Sequence, residues 1–241
     1  MKAISFSLYG VDLKYLQGMV RNLNIIRDFY PDWTPVVYCD WGIPETLRCQ
    51  MSELGADIRV RDDSWHTNGM FWRFYAAADN RFSCVIFRDA DSRIQPREML
   101  AVEEWLRSGK TLHIMRDHPN HLTPILGGMW GLALTHGMKL PDFSRMNDFG
   151  NKVGEDQEFL AKFVYPIFKN KAFVHDSFFK FERSSRCFPS ERLSGEYVGE
   201  SFNELDDFDE ILRAQLLRIE ANFFLKILFK SKSIIQAKFS F

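Results

Sequence analysis

The sequence predicts a single α/β domain with a mostly parallel central sheet, followed by a C-terminal helical extension. Short apolar strands alternate with amphipathic helices over the first 120 residues, which is the pattern of an open α/β sheet. The run Cys84–Phe87 is continuously apolar, as expected for a strand at the centre of a parallel sheet. A helical pattern returns from Phe208 after an irregular stretch. We therefore predict a domain over residues 1–205 and an extension over 206–241.

The predicted strands are short apolar or alternating runs. They lie at residues 4–8, 36–38, 58–60, 84–87, 112–115 and 172–175. The predicted helices have apolar residues at helical spacing and Pro or Gly near their ends. They lie at residues 11–30, 44–54, 70–78, 96–106, 155–165 and from 208 onward. The glycine-rich segment 127–131 is apolar, and its two adjacent glycines are also typical of a bulge in a packed strand.

Composition narrows the class of protein. The 241 residues are 46% hydrophobic and 26% charged, which is ordinary for a globular protein and excludes a disordered chain. A net charge of −1 gives no reason to expect nucleic acid as a partner. The four cysteines form no C-x-x-C pair, and the sequence has neither a signal-peptide pattern nor an apolar run long enough to span a bilayer. We therefore expect a cytoplasmic protein.

Three predicted strands end in the same dipeptide, at Arg61-Asp62, Arg88-Asp89 and Arg116-Asp117. Ligands of open α/β sheets bind beyond the carboxyl ends of the strands. The three dipeptides therefore predict carboxylates and guanidinium groups along one ligand-binding edge. The alternative for any one of them is a strand-end salt bridge without function.

The pair Asp89 and Asp91 follows the apolar strand directly. Two carboxylates separated by one residue can point into one cavity, where they repel each other unless a cation lies between them. Hard oxygen ligands suit Mg²⁺ or Mn²⁺, which then bridge a diphosphate. A strand followed by Asp-x-Asp also opens the site of haloacid-dehalogenase-type phosphatases, with Asp89 as nucleophile and Asp91 as acid/base. Ser92-Arg93 departs from the residues that usually follow there.

Over roughly residues 1–200 the sequence resembles nucleotide-sugar-dependent glycosyltransferases of the GT-A fold, in particular bacterial and viral polysaccharide-type transferases. The resemblance rests on short motifs in a characteristic order. These are Ser7-Leu8-Tyr9-Gly10, Met70-Phe71-Trp72-Arg73-Phe74, Arg88-Asp89-Ala90-Asp91-Ser92-Arg93, His118-Pro119-Asn120-His121, Gly127-Gly128-Met129-Trp130-Gly131, Glu155-Asp156-Gln157 and Val174-His175-Asp176-Ser177.

The resemblance implies a Rossmann-like GT-A domain and a metal-dependent glycosyltransferase. It implies transfer from a UDP- or GDP-linked sugar to a glycan, lipid-linked or lipopolysaccharide-type acceptor. Asp91 would bind the metal, and Asp89 would bind the metal or the donor ribose. His175 would complete the site, or else be an ordinary buried histidine. Because imidazole suits Mn²⁺ better than Mg²⁺, Mn²⁺ (or Mg²⁺) is the expected cofactor.

Further donor-site residues follow from the same resemblance. Arg73 and Arg88 would bind the diphosphate, although Arg73 also has aromatic neighbours in sequence that favour cation–π packing. Tyr9 would stack on the base, and Asp117 would bind the donor. The donor-sugar residues would be Gly127, Gly128 and Trp130.

The catalytic candidates are Asp156 and Gln157. Asp156 would be the general base of an inverting reaction, whereas in a retaining reaction Asp156 or Gln157 would contact the sugar. The alternative, non-catalytic role for carboxylates at the start of this predicted helix is helix capping. The His118–His121 region predicts acceptor or donor-sugar binding, with a zinc site or a plain polar loop as alternatives. A fold-mate that binds sugar or nucleotide without turnover is the remaining alternative for the whole chain.

Residues 211–241 carry six Lys and Arg, one Glu and many interleaved Phe, Ile and Leu. A basic amphipathic segment of this kind is typical of a membrane-surface anchor. It predicts peripheral contact with the inner leaflet of the cytoplasmic membrane. The alternative is a helix packed on the protein body or in a dimer.

Overall fold

The central sheet has seven strands, as described by a computed structural model that covers residues 1–61, 69–135, 137–150, 152–179 and 181–222. The strands are β1 (Lys2–Leu8), β2 (Trp33–Asp40), β3 (Asp57–Arg61), β4 (Cys84–Arg88), β5 (Leu112–Arg116), β6 (Trp130–Ala133) and β7 (Ala172–Asp176). Their order in the sheet is β3-β2-β1-β4-β6-β5-β7. The predicted α/β class with a mostly parallel sheet is confirmed.

The strand β6 is antiparallel to both neighbours, β4 and β5, whereas the other pairs are parallel. The chain leaves β5 at the carboxyl edge of the sheet, and residues 117–129 form no strand there. The next strand therefore enters from that edge and runs backwards. Gly131 lies on β6 against Ile86 and Trp105, where a Cβ atom would crowd its neighbours. The glycine-rich segment thus includes a packed strand.

Helices cover both faces of the sheet. The α-helices are α1 (Leu13–Phe29), α2 (Glu45–Glu53), α3 (Pro96–Ser108), α4 (Glu155–Phe159), α5 (Tyr165–Phe168) and α6 (Glu210–Ala221). A π-helical turn, Leu160–Val164, joins α4 to α5, and 3₁₀ helices lie at Gly69–Ala78, Phe143–Asp148 and Lys169–Lys171. One buried cluster joins the sheet to α1, α2 and α3. A second, rich in phenylalanine, joins the other face to the first two 3₁₀ helices and the α4–α5 run.

The segment Gly69–Ala78 is a 3₁₀ helix, although its sequence predicts an ordinary helix. Two serines on β1 bond its backbone. The Ser5 hydroxyl donates to the Arg73 carbonyl over 2.7 Å, and the Arg73 N–H donates to the Ser7 hydroxyl over 2.9 Å. Such side-chain bonds offer the backbone an alternative to regular helical pairing. They also fix Arg73 beside the carboxyl end of β1.

Helix α6 packs on the body of the protein. Leu216 and Ile219 are buried against Phe178, Phe179 and Tyr197. The Asp209 side chain caps the helix by accepting from two backbone N–H groups of its first turn. The apolar and basic tail over 223–241 lies outside the described residues.

Among the described residues, no helix is both long and apolar enough to cross a membrane.

Candidate functional site

A cleft of about 300 Å³ lies at the carboxyl ends of β1 and β4. It brings together seven of the residues to which the sequence assigns an individual role in the site. These are Tyr9, Arg73, Asp89, Asp91, Gly127, Asp156 and Gln157. They come from five segments of the chain, so the topology of the sheet, not sequence proximity, assembles them.

Arg73 links two carboxylates at the centre of this cleft. Its guanidinium donates to Asp89 over 2.6 Å and to Asp156 over 2.7 Å. The side chains of Arg73 and Asp156 are 6% and 9% exposed, whereas that of Asp89 is 42% exposed. Burial alone would lower the pKa of Arg73, but the two carboxylates raise it. Arg73 is therefore a charged clamp between aspartates, a role that the sequence did not predict.

Asp156 stands in the first turn of α4. Burial raises the pKa of its carboxyl group, Arg73 opposes that shift, and Asp89 adds to it. Its second oxygen accepts from the Gln157 N–H over 2.9 Å. The Gln157 side-chain oxygen in turn accepts from the Thr123 hydroxyl over 3.2 Å. Hydrogen bonds within the protein thus fix the orientation of both candidate catalytic side chains, Asp156 and Gln157.

Asp91 lies in the cleft with its carboxylate 3.5 Å from the Lys14 ammonium group. Burial raises the pKa of Asp91, and the neighbouring Asp89 raises it further. A divalent cation on the hard carboxylate oxygens of Asp89 and Asp91 would relieve the repulsion that raises the pKa of Asp91. In the described part of the chain, no three His, Cys, Asp or Glu side chains are grouped so as to hold a metal. Any metal here would take its other ligands from substrate or water.

The glycine pair is packed against the carboxylates of the site. A Cβ atom at Gly127 would overlap the Asp156 carboxylate, and one at Gly128 would overlap the Asp89 carboxylate. Both positions therefore require glycine for close approach of backbone to side chain. The sequence predicts glycines that admit a donor sugar, and the structure shows them making room for the acidic residues.

Tyr9 lies at the mouth of the cleft and is 39% exposed. Its ring meets Trp72 edge-on at 6.0 Å and lies directly over Gly69, where a Cβ atom would overlap the ring. Burial of part of the ring raises the pKa of the phenol. One face of a partly exposed aromatic ring is thus available beside the acidic residues.

Arg88 and Trp130 do not reach the cleft. Arg88 is 2% exposed and its guanidinium pairs with Glu98 of α3. Trp130 is fully buried and stacks on Phe87 at 4.1 Å. Residues of a strand alternate between its faces, so Arg88 follows Ile86 into the core under α3. The predicted contacts of Arg88 with diphosphate and of Trp130 with sugar are therefore not formed by these buried side chains.

Asp117 is also buried, at 0% exposure. Its carboxylate pairs with Arg97 and Arg192 and accepts from the Ser177 hydroxyl and the Val198 N–H. All of these partners belong to the protein, so the predicted donor contact is replaced by a network that holds the chain around Val198. Asp62, of the Arg61-Asp62 dipeptide, lies outside the described residues.

His175 is separated from the two aspartates. It is fully buried, and its imidazole bonds His113 at 2.9 Å and Glu104 at 3.0 Å. Alternation along β7 places His175 on the same face as Phe173, against α3. The predicted set of Asp89, Asp91 and His175 is therefore not brought together, and His175 is an internally hydrogen-bonded histidine.

His121, from the region that the sequence predicts to bind acceptor or donor sugar, also lines the cleft. The structure adds residues that the sequence did not assign to the site, among them Lys14, beside Asp91, and Tyr15, Gly199 and Ser201, which line the wall. Ser201 forms a β-bridge with Ser92, and the Phe202 N–H donates to the Asp91 carbonyl over 2.8 Å. The segment around Ser201 lies more than a hundred residues beyond the acidic pair, in a stretch with no periodic pattern. No spacing signal could have placed it there.

No family model matches the sequence, and no curated protein matches it. Solved structures with a similar arrangement include Mycobacterium tuberculosis glucosyl-3-phosphoglycerate synthase in complex with Mn²⁺, UDP and phosphoglyceric acid. That match has a TM-score of 0.46, 14% identity, and coverage of 72% of this chain and 68% of that one. The match to residues 1–349 of Staphylococcus aureus TarS has a TM-score of 0.46 and 12% identity, and it covers 78% of this chain and 59% of that one. The match to galactosyltransferase LgtC in complex with donor and acceptor sugar analogues has a TM-score of 0.43 and 14% identity, and it covers 74% of each chain.

Proposed function

We propose that this protein is a metal-dependent glycosyltransferase that moves a sugar from a UDP- or GDP-linked donor to a glycan or lipid-linked acceptor. The observation that carries the proposal is the convergence of Asp89, Asp91 and Asp156 in one cleft, with Arg73 bonded to both Asp89 and Asp156. The cleft lies at the carboxyl ends of parallel strands, where open α/β sheets bind their ligands. The sequence motifs that resemble GT-A enzymes supply several of its lining residues.

Asp89 and Asp91 are the proposed holders of Mn²⁺ or Mg²⁺. When bound, the cation would offset negative charge on the leaving nucleoside diphosphate. Arg73 keeps one oxygen of Asp89 engaged, which fixes the direction of the carboxylate. Lys14 adds a positive charge on the other side of the pair, where it would attract phosphate oxygens.

Asp156 is the proposed general base of an inverting reaction. A raised pKa makes its carboxylate a better proton acceptor, and Arg73 holds it in the ionised form and in a fixed orientation. Gln157 would orient a sugar hydroxyl beside it. In a retaining reaction, Asp156 or Gln157 would contact the transferred sugar instead. Tyr9 would cover the base of the nucleotide at the mouth.

Peripheral membrane contact through residues 211–241 is a further part of the proposal. Arg213 of α6 is already paired with Glu200, so the support comes from the Phe and Lys pattern beyond Asn222. A chain that ends at Asn222 keeps α6 intact. It should lose co-sedimentation with vesicles that contain anionic lipid, and unchanged co-sedimentation would refute the anchor.

Calorimetry with a panel of UDP- and GDP-linked hexoses tests the donor site. We expect binding that requires Mn²⁺ or Mg²⁺ and weakens at least tenfold in Asp91→Asn. The matched control is Asp148→Asn, because Asp148 is an exposed aspartate whose one ion pair among the described residues is with Arg145. Binding without metal and unaffected by Asp91→Asn would refute the proposal.

Release of nucleoside diphosphate in the presence of acceptor then tests turnover. Asp156→Asn should lower it about 100-fold or more, as expected for loss of a general base. Tight donor binding without any release would indicate a fold-mate that only binds. Release of phosphate from simple monoesters would indicate the phosphatase chemistry instead.

A further inference from the structure

A second cavity, of about 840 Å³, lies along the outer edge of β7. Its walls are the C-terminal end of α3, the start of β7, the end of the α4–α5 run and the loop around Arg183. None of its lining residues lines the acidic cleft. It is therefore a separate concavity on the surface.

Positive charge dominates this basic cavity. Five Lys and Arg side chains line it against two Glu side chains, within a chain whose net charge is −1. The lining bases are Arg107, Lys110, Lys169, Arg183 and Arg186. Such a local excess attracts anions, and a concave wall strengthens the attraction.

Both acidic residues of the cavity already have partners inside the protein. Glu182 pairs with the buried Arg116 and accepts from the Tyr165 hydroxyl over 2.7 Å. Glu104 accepts from His175 and pairs with Arg186 at 3.5 Å. Because these two carboxylates already have partners, they do little to neutralise the other cations of the cavity, Arg107, Lys110, Lys169 and Arg183.

Lys110 and Arg183 carry the unbalanced charge. Both are exposed, and within the described part of the chain neither side chain forms a hydrogen bond or an ion pair. Arg107 is also mostly exposed, and its partner Glu103 lies outside the cavity. The basic cavity thus holds two cations, Lys110 and Arg183, that pair with no side chain in the described part of the chain.

The remaining lining suits a sugar chain. Phe181 contributes a partly exposed aromatic ring, and Ser108 and Ser184 contribute hydroxyl groups, whereas the rings of Tyr165 and Phe173 are largely buried. Aromatic faces with a few convergent polar groups are typical of sites for amphipathic small ligands. Gln157 of the cleft and Tyr165 of the cavity lie on one continuous helical run, about 12 Å apart along its axis.

We propose that the basic cavity binds an anionic saccharide, a sugar chain bearing carboxylate or phosphate groups. In this assignment the charged part of an extended acceptor lies in the cavity while its reacting end lies in the acidic cleft. The acceptor role rests on the proposed function. Binding of the anionic saccharide itself does not.

Titration calorimetry of the full chain with trigalacturonate, without nucleotide or metal, tests the proposal. Maltotriose is the neutral probe of the same length, and inorganic phosphate is the small anion. We expect trigalacturonate to bind, more weakly as salt rises, and maltotriose to bind at least tenfold more weakly. Lys110→Glu/Arg183→Glu should weaken trigalacturonate binding at least tenfold.

The control Arg27→Glu/Lys139→Glu makes the same change of charge at two exposed positions outside the cavity, and it should stay within twofold of the wild type. Equal binding of trigalacturonate and maltotriose, or no effect of the cavity variant, would overturn the proposal. Displacement of trigalacturonate by equimolar phosphate would overturn its saccharide part. Because the donor is absent, failure of nucleotide binding elsewhere leaves this result unaffected.

Discussion

Replacing Arg88 with methionine should destabilise the fold by about 3–5 kcal/mol at neutral pH, the cost of leaving a buried charge without its partner. Arg88 and Glu98 are both 2% exposed. The Arg88 guanidinium also donates to the carbonyls of Phe87 over 2.7 Å and of Trp130 over 3.2 Å. The free energy of unfolding of native domains is about 5–15 kcal/mol. The variant should therefore still fold, with a small margin of stability.

The loss should depend on pH with a definite sign. Burial raises the pKa of Glu98, and Arg88 opposes that shift, so removing Arg88 raises the pKa of the folded state further above the unfolded value of about 4.3. A carboxyl group with a raised folded pKa destabilises the fold above its unfolded pKa. The difference between wild type and variant should therefore be smallest near pH 4 and largest at neutral pH.

Urea denaturation at pH 4.5 and pH 7.5 measures both effects. The double variant Arg88→Met/Glu98→Met should recover at least half of the loss, because no buried charge remains. Arg107→Met, on the same helix as Glu98, removes an exposed ion pair with Glu103 and should cost less than about 1 kcal/mol. Full stability of Arg88→Met at pH 7.5, together with lost nucleotide affinity, would refute the structural role and restore the predicted diphosphate contact.

Three further predictions concern the walls of the cleft. Gly128→Ala should lower sugar-transfer turnover about 100-fold, because its Cβ would displace the Asp89 carboxylate; a turnover assay on folded protein checks this. Burial lowers the pKa of His121 to about 3, so stability should fall by up to about 1.4 kcal/mol per pH unit below about pH 6.5. His121→Asn should flatten that slope in urea titrations. Glu200→Gln should cost about 1.5–3 kcal/mol in urea denaturation, because fully buried Glu200 accepts two bonds from Arg213.

The sequence was sufficient for six of the seven strands and for the position of the acidic pair. Each predicted strand exists, because apolar runs bounded by turn residues can be buried in few other ways. Asp89 and Asp91 follow a central strand, so topology alone places them at the ligand-binding edge. The type of the Gly69–Ala78 helix was not predictable, since it depends on the hydroxyls of Ser5 and Ser7 from a distant strand.

For the Arg-Asp dipeptides, the sequence pattern was insufficient to predict which side chains face a ligand and which face the protein interior. The period of two along β4 groups Arg88 with Cys84 and Ile86, and all three side chains are buried. The site-based interpretation instead grouped Arg88 with Asp89 by adjacency. Whether Asp117 faces a ligand or the protein was decided by Arg97 and Arg192, which no local pattern links to β5.

Helix α6 separates two roles that the sequence assigns to one C-terminal extension. Its Arg213 holds Glu200, which lies between Gly199 and Ser201, two residues of the cleft wall. Removing the chain from residue 206 would therefore unpair a buried carboxylate beside the proposed donor site. A truncation after Asn222 leaves that pair in place and removes only the apolar and basic tail. Loss of activity from the first truncation and loss of membrane binding from the second would thus report different parts of the molecule, and only the second tests an anchor.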